Sequence, residues 1–304
     1  MNLRKQKKRQ GLSRVEVKKK IVTSITNYLV LKAVKFTNNQ LIKLLGLAKA
    51  SFYYQDKQAS RDEQLKEQIL SVLNLNPSYG HRRIALALGI GKKRARRVMK
   101  KYGIKPYKRK RAWKKRRDLR RPPAVFANLV KGQCPLVPNY TWVSDFTYIR
   151  HQQRYIYLAT FMDLFTREIV GWHISNRHTK ELVLKALLDG FKTTNFKPPR
   201  IIHSDQGSEY NCQDYINSLD YLKVNISMSK KGSPWENGYQ ESFYNNFKTD
   251  LGLEFDRFNS LGELVEAIHQ TINYYNHQRI HTTLKMSPNQ FKQNYYLNCL
   301  EKVV

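Results

Sequence analysis

TWVSDFTYIR (141–150), QRYIYLATFMDLF (153–165) and REIVGWHIS (167–175) follow one another with only short polar breaks between them. Each is dense in β-branched and aromatic residues, so three successive strands are predicted. An apolar-periodic helix, TKELVLKALLDGFKTT (179–194), comes next, and then a short strand, PRIIHSD (199–205). A further helix leads to the strand KVNISMS (223–229), and two long helices at 234–251 and 261–277 finish the folded part. Three strands in a row, then helix and strand in alternation, predict an α/β domain built on a mixed sheet.

The residues before this domain have a different texture. Residues 1–20 carry nine Lys and Arg and read as a disordered or DNA-touching arm. The stretch TNNQLIKLLGLAKASFYY (37–54) has Thr37 as an N-cap and Gly46 at a break, the outline of a small helical pair. Residues 62–103 repeat that outline more clearly: Leu65, Ile69, Val72 and Leu73 form one apolar stripe, and Gly89 and Gly91 bracket a turn. On the helix after that turn Ala95, Val98 and Met99 face inward while Lys93, Arg96, Arg97 and Lys100 face out, as on a helix laid in a major groove. Arg82 and Arg83 join this basic set. Between 92 and 121 there are 18 Lys or Arg against one acid, Asp118, and this basic linker ends at Pro122-Pro123.

The charge narrows the function. Over 304 residues, Lys+Arg is 55 against 23 Asp+Glu, a formal net charge of +32 and a pI near 10.1. Self-repulsion on that scale is relieved by a polyanion, and the basic segments lack the apolar face that a membrane surface would need. Nucleic acid is the expected partner. With 41% hydrophobic residues the chain can bury a real core. Cys134, Cys212 and Cys299 are far apart, which is neither a disulfide framework nor a zinc pattern and is consistent with the cytoplasm. No signal peptide or membrane span is predicted.

Three acids stand where chemistry is expected. Asp145 lies mid-strand, where a carboxylate is costly to bury without a partner or a metal. Asp205 ends a strand, and α/β sheets gather ligands at the carboxyl ends of their strands. Glu241 lies in a helix with Asn237 and Lys248 on one stripe, so it is expected to point to the sheet while Lys248 reaches a phosphate. Taken singly, each acid also reads as an ordinary paired, turn-forming or surface residue. Together, such carboxylates suit two Mg²⁺ or Mn²⁺ ions flanking a phosphodiester. Asp163 is read as structural, paired with Arg167. Trp142, Trp172 and Trp235 are read as packing residues, Trp235 in a Gly/Ser loop close to the presumed DNA. His277 and His281 lack a third partner for zinc.

From about 37 to 295 the chain resembles the catalytic, second-frame protein of two-frame bacterial insertion sequences, which are DDE transposases similar to retroviral integrases. The resemblance is carried by YGHRRI (79–84), WVSDFTYI (142–149), FMDLFTREIVGW (161–172), HSDQGSEY (203–210), SMSKKGSPWENGYQESFYNNFK (227–248) and YNHQRIHTTLKMSP (275–288), with 35 residues between Asp205 and Glu241. It implies an RNase H-like core whose Asp145, Asp205 and Glu241 bind metal, with Lys248 on the DNA end. Glu236 stands where the family more often has Asp, but the spacing and the helix stripe favour Glu241 as the third acid. Lys230 and Lys231 are added as DNA contacts. The organisation this implies is a basic arm or helix (1–36), a small helix-turn-helix-like unit (37–60), a helix-turn-helix domain (61–104), a basic linker (105–135), the core (136–252) and a helical extension (253–304). The implied activity is 3′-end cleavage and strand transfer at terminal inverted repeats and target DNA. A homo-oligomer is implied, in a bacterial, nucleoid-associated setting, with an upstream-frame helix-turn-helix and coiled-coil protein as a possible partner. An RNase H-type nuclease and a non-catalytic helix-turn-helix regulator are the alternatives.

Overall fold

The computed structural model describes residues 14–31, 38–53, 57–108, 125–231, 233–252 and 255–301. The chain divides after Leu65 into two compact units. The first holds helices α1 (Arg14–Leu31), α2 (Asn38–Leu44) and α3 (Lys49–Tyr53) and the beginning of α4 (Lys57–Leu75). Val22, Leu41 and Ile42 form its buried side. The predicted arm is helical over Arg14–Leu31, while residues 1–13 and 32–37, with the proposed cap Thr37, lie outside the described residues.

The second unit opens with the rest of α4, then α5 (His81–Ala87) and α6 (Lys92–Lys101). Gly89 sits at φ +63 in the turn between them, a left-handed conformation that a side chain disfavours. It lets Ile90 N–H reach Ala85 O at 2.9 Å and close the end of α5. Ile84, Ala85, Ala95, Val98 and Met99 are buried, and Lys93, Arg96, Arg97 and Lys100 are exposed on α6, as the periodicity predicts.

Five strands follow: β1 (Thr141–His151), β2 (Arg154–Asp163), β3 (Ile169–Ser175), β4 (Ile201–Ser204) and β5 (Asn225–Met228). Their order is β3-β2-β1-β4-β5, antiparallel among the first three and parallel from β1 to β4 to β5. Helices α7 (Lys180–Thr193) and α8 (Gln213–Tyr221) supply the parallel crossovers. After β5 come a 3-10 turn (Pro234–Asn237), α9 (Gly238–Asp250), a second 3-10 turn (Phe255–Arg257), α10 (Leu261–His277) and α11 (Pro288–Leu300). The predicted helix over 234–251 is thus broken at Gly238, and α11 falls within the expected helical extension, beyond the last helix that periodicity delimited. Among the described residues no helix is long and apolar enough to cross a membrane.

Strand alternation sorts the core into two faces. Trp142 and Phe161 join Leu182, Val183, Leu187, Tyr215 and Leu219 of α7 and α8 on one face. Val143, Leu158 and Met162 join Phe243, Phe247, Leu264, Ile268 and Ile272 of α9 and α10 on the other. The end of the stretch read as linker belongs here too: Val130 is buried in the second cluster, and Leu129 N–H donates to Ser227 Oγ at 2.8 Å. Residues 109–124 lie outside the described residues.

β3 and α7 touch through two glycines. A Cβ on Gly171 would stand 2.4 Å from Ala186 O and 2.4 Å from Gly190 N, both immovable backbone atoms. Gly171→Ala is therefore expected to destabilise the second unit by about 3 kcal/mol. Urea unfolding monitored by tryptophan fluorescence would read this, and a loss within error of zero would mean α7 shifts freely.

The α5–α6 pair is tied to the far end of the chain. Ile280 N–H donates to Tyr79 Oη at 2.8 Å, and Arg83 Nε donates to Ile280 O at 3.0 Å. Tyr274 Oη donates to Asn76 Oδ1 at 2.6 Å, and Ser78 Oγ donates to Asp250 Oδ1 at 2.5 Å. Asp250 in turn pairs with Arg279, whose side chain is 2% exposed and which also donates to Asn246 Oδ1 at 3.0 Å.

Candidate active site

Asp145 lies on β1 opposite Thr160 of β2 and on the same face as Val143, toward α9. The parallel register pairs Thr141 with Ile201 and Val143 with His203. Carried on by two residues, it brings Asp205, just past the end of β4, level with Asp145. The two acids, sixty positions apart in the chain, meet because one strand ends where its neighbour continues.

α9 is fastened to the backbone beside this pair. Gln240 Nε2 donates to Val143 O at 2.6 Å, Asn237 Nδ2 to Ser144 O at 2.9 Å, and Tyr244 Oη to Asp145 O at 2.5 Å. Gln240 and Tyr244 also engage Thr160 Oγ1, at 3.1 and 2.8 Å. Three successive carbonyls of β1 are thereby held by α9 and the 3-10 turn that leads into it, which fixes the strand carrying Asp145. Gln240 and Tyr244 were not singled out from the sequence. Their four-residue spacing on α9 was the available signal.

The electrostatics are those of crowded carboxylates. Burial, followed by the charge of Asp205, pushes the Asp145 carboxyl up to about 7, while Phe146 N–H and Lys248 pull the other way. Burial also raises Asp205, with Glu209 adding to the rise and Gly207 N–H and His178 opposing it. Gly207 lets the loop turn tightly here, since a Cβ would sit 2.9 Å from Glu209 Oε2 and 3.1 Å from Asp205 Oδ1. Glu209 is held by His178 Nε2 at 3.0 Å, and His178 stacks on Tyr157 with ring centroids 5.3 Å apart. Neither His178 nor Glu209 was marked from the sequence, because nothing local links positions that far apart.

The remaining predicted site residues are placed as follows. Glu241 is on the first turn of α9 and exposed, beside the inward stripe of Asn237, Gln240 and Tyr244 instead of on it. Among the described residues no group of three His, Cys, Asp or Glu side chains stands close enough to hold a metal ion, so the structure gathers Asp145 and Asp205 but not Glu241. Lys248 donates to Tyr148 O at 2.8 Å and lies 5.1 Å from that ring's centroid. Lys230, Lys231 and Arg82 are exposed. Arg83 turns away from that basic surface toward Ile280 and the Tyr79 ring, because the carbonyl and the ring compensate its burial there. Glu236 Oε2 accepts from Lys230 N–H at 2.8 Å and Asn128 Nδ2 at 3.2 Å.

Two readings of other residues change, those of Asp163 and Trp235. Asp163 is structural, but it accepts from Thr166 N–H, Thr166 Oγ1 and Asn139 N–H and not from the Arg167 guanidinium, which lies over Tyr239. Trp235 is 63% exposed and is no packing residue, whereas Trp142 is fully buried. His281 is held well inside the protein, where burial lowers it to about 4.

A mixed five-stranded sheet of this order, with acids on β1 and directly after β4, defines an RNase H-like integrase core. Residues 136–234 match the family described as integrase core domain, and 222–288 match a second family of the same description. The chain is 32% identical to an insertion element IS600 uncharacterized 31 kDa protein of Shigella sonnei, over 84% of this chain and 98% of that one. It is 34% identical to the transposase for insertion sequence element IS904 of Lactococcus lactis, over 78% and 96%. Identity to the putative transposase InsK for IS150 of Escherichia coli is 28%, over 85% and 94%. Among solved structures, the HTLV-2 integrase catalytic core in complex with magnesium is 18% identical over 52% of this chain and 98% of that chain, with a TM-score of 0.44. The chain belongs to the insertion-sequence transposases with an integrase core, and as such it is a DDE polynucleotidyl transferase.

Proposed function

We propose that the protein cleaves the 3′ ends of its own insertion sequence and joins them to another phosphodiester, with Asp145, Asp205 and Glu241 as its metal-binding acids. The observation that carries this is the meeting of Asp145 and Asp205 on one sheet face, each raised by burial and Asp145 further by the charge of Asp205. Two carboxylates so placed suit a hard divalent cation, Mg²⁺ or Mn²⁺, bound through oxygen. Such ions, when bound, activate a water or a 3′-hydroxyl and stabilise the leaving oxygen.

The protein's own residues do the rest. The contacts of Gln240, Asn237 and Tyr244 hold β1, and so Asp145, against α9. They also keep the turn carrying Glu241 beside that strand. Glu236 is the weaker candidate for the third acid, because its Oε2 is already engaged by Lys230 N–H and Asn128. Exposed Arg82, Lys93, Arg96, Arg97 and Lys100 form a basic surface suited to phosphates of the terminal inverted repeats. Cutting both ends of one element requires two active sites, so a homodimer or larger assembly is the working form.

The test is strand nicking and joining on labelled duplexes with the element's terminal repeats, in Mg²⁺ and in EDTA, with and without the upstream-frame protein. Glu241→Gln is expected to lower cleavage about a thousandfold, and Glu236→Gln less than about tenfold. The reverse ranking would move the third role to Glu236. Binding without metal-dependent cutting under every condition would leave a DNA-binding regulator as the account.

A further inference from the structure

Apart from the carboxylate pair, the second unit carries a cleft of about 490 Å³, a volume in the range of small-ligand pockets. Its walls come from α5, the β2–β3 turn, the start of α9 and the segment after α10, and include Arg83, Arg167, Trp235, Tyr239, His281 and Thr283. Nothing in the arrangement of Asp145 and Asp205 requires these residues.

Arg167 is the centre of the cleft. Its backbone is held at φ 64, a left-handed conformation unusual for a side-chain-bearing residue, in a turn whose Thr166 is fixed by Asp163. The guanidinium lies 4.0 Å from the centroid of the Tyr239 ring, which orients it. Its Nη1 is nonetheless buried with no hydrogen-bond partner, and so is Nδ1 of His281 in the same cleft. Leaving a charged donor buried and unsatisfied is destabilising, and such orphans mark places where a ligand completes the set. Arg83 adds a second guanidinium whose burial lowers it to about 10. The acid at the cleft, Glu236, is turned to Lys230 N–H and Asn128, so the chemistry offered to a ligand is cationic.

The cleft also offers a flat apolar face. Trp235 is 63% exposed at its edge, an unusual placement for an indole. An anionic group on Arg167 and an aromatic ring on Trp235 together describe a nucleotide. The bases of an intact duplex are covered on both faces, so the nucleotide must be unstacked. Tyr239 and Ser242, both in the wall, flank Glu241 on α9, and Met162 lies two residues along β2 from the partner of Asp145.

We propose that this cleft is a second nucleic-acid subsite that takes one unstacked nucleotide of a DNA strand, its phosphate on Arg167 and Arg83 and its base on Trp235. This rests on the reading of the protein as a DNA strand transferase and adds where an unpaired nucleotide is held. The subsite gives the protein a preference for ends with an unpaired overhang, and this preference needs no metal.

The experiment compares, in EDTA, the affinity of the full chain for a terminal-repeat duplex with a three-nucleotide single-stranded overhang and for the same duplex made blunt. Wild type is expected to favour the overhang about tenfold or more, in line with base stacking on an aromatic. Trp235→Ala and Arg167→Gln are each expected to lose that preference while binding the blunt duplex as wild type does. Arg167→Lys is expected to restore part of it. Trp235 is exposed, so an unchanged melting temperature for Trp235→Ala would show that the fold is intact. A preference kept by both variants, absent from wild type, or lost together with blunt-duplex binding would overturn the subsite. Metal-dependent cleavage abolished by Asp205→Asn would stand in any of those cases, so the two readings fail separately.

Discussion

Asp145→Asn is expected to remove metal-dependent 3′-end cleavage, by on the order of a thousandfold or more, and also to stabilise the metal-free protein at pH 8. The two effects have one cause. Burial and the neighbouring Asp205 charge push the Asp145 carboxyl up to about 7 from its ordinary 3.8. A carboxyl whose folded value lies above its unfolded one holds its proton longer in the folded state, so stability falls as pH rises through that interval. The fall runs from about pH 4 to about pH 7 and then levels off. Its ceiling is about 4 kcal/mol, and solvent screening lowers it because the residue is only half-buried. Asn keeps an oxygen for Phe146 N–H and carries no charge, so the pH-dependent loss disappears with it. Denaturant unfolding of both proteins in EDTA, from pH 4 to 8, gives the difference curve. A variant that lost activity and stability together would make Asp145 a structural residue, and unimpaired cleavage would remove it from the chemistry.

The sheet was legible because its signals are local. The run 141–175 alternates strands with breaks, and a register of hydrogen bonds adds little that the runs did not already imply. The acids at 145 and 205 were legible for a similar reason: one interrupts a strand, and the other closes one. Glu241 was only half legible. Helical periodicity placed it on a stripe with Asn237, but the break at Gly238 turns the 3-10 residues relative to α9, and Gln240 takes the inward place instead. Arg83 was read as part of the outward basic set because periodicity sorts charged residues outward, whereas its guanidinium turns in toward Ile280. Periodicity has no knowledge of Ile280, nearly two hundred positions away, whose carbonyl accepts the buried guanidinium. Trp235 was misread in the opposite sense, since a large indole is ordinarily a packing residue. The unpaired Nη1 of Arg167 depends on what surrounds the β2–β3 turn in three dimensions, and no spacing in the sequence carries that.

The same long-range dependence gives the largest stability effect expected away from the chemistry. Arg279→Met would leave Asp250 as a buried carboxylate facing Ser78, with its cationic partner gone. Removing one member of a buried ion pair costs about 3–5 kcal/mol, far more than losing an exposed pair. Asp250→Asn combined with Arg279→Met is expected to recover much of that loss, because neither charge is then stranded. Urea unfolding of the two single variants and the double would give the coupling directly, and strictly additive losses would mean that the pair does not act as one. The pair also has a place in function. Asp250 and Asn246 belong to α9, the helix fastened to Asp145, while Ser78 precedes α5 and Arg279 adjoins the Ile280 contacts to Tyr79 and Arg83. One buried charge pair thereby fixes the basic helices α5 and α6 relative to the acids on the sheet. At a temperature where Arg279→Met is still folded, cleavage is expected to spread from the terminal phosphodiester to its neighbours, because helices α5 and α6, proposed here to hold the DNA, would no longer set its distance from Asp145. Cuts confined to the wild-type position would show instead that the core alone chooses the bond.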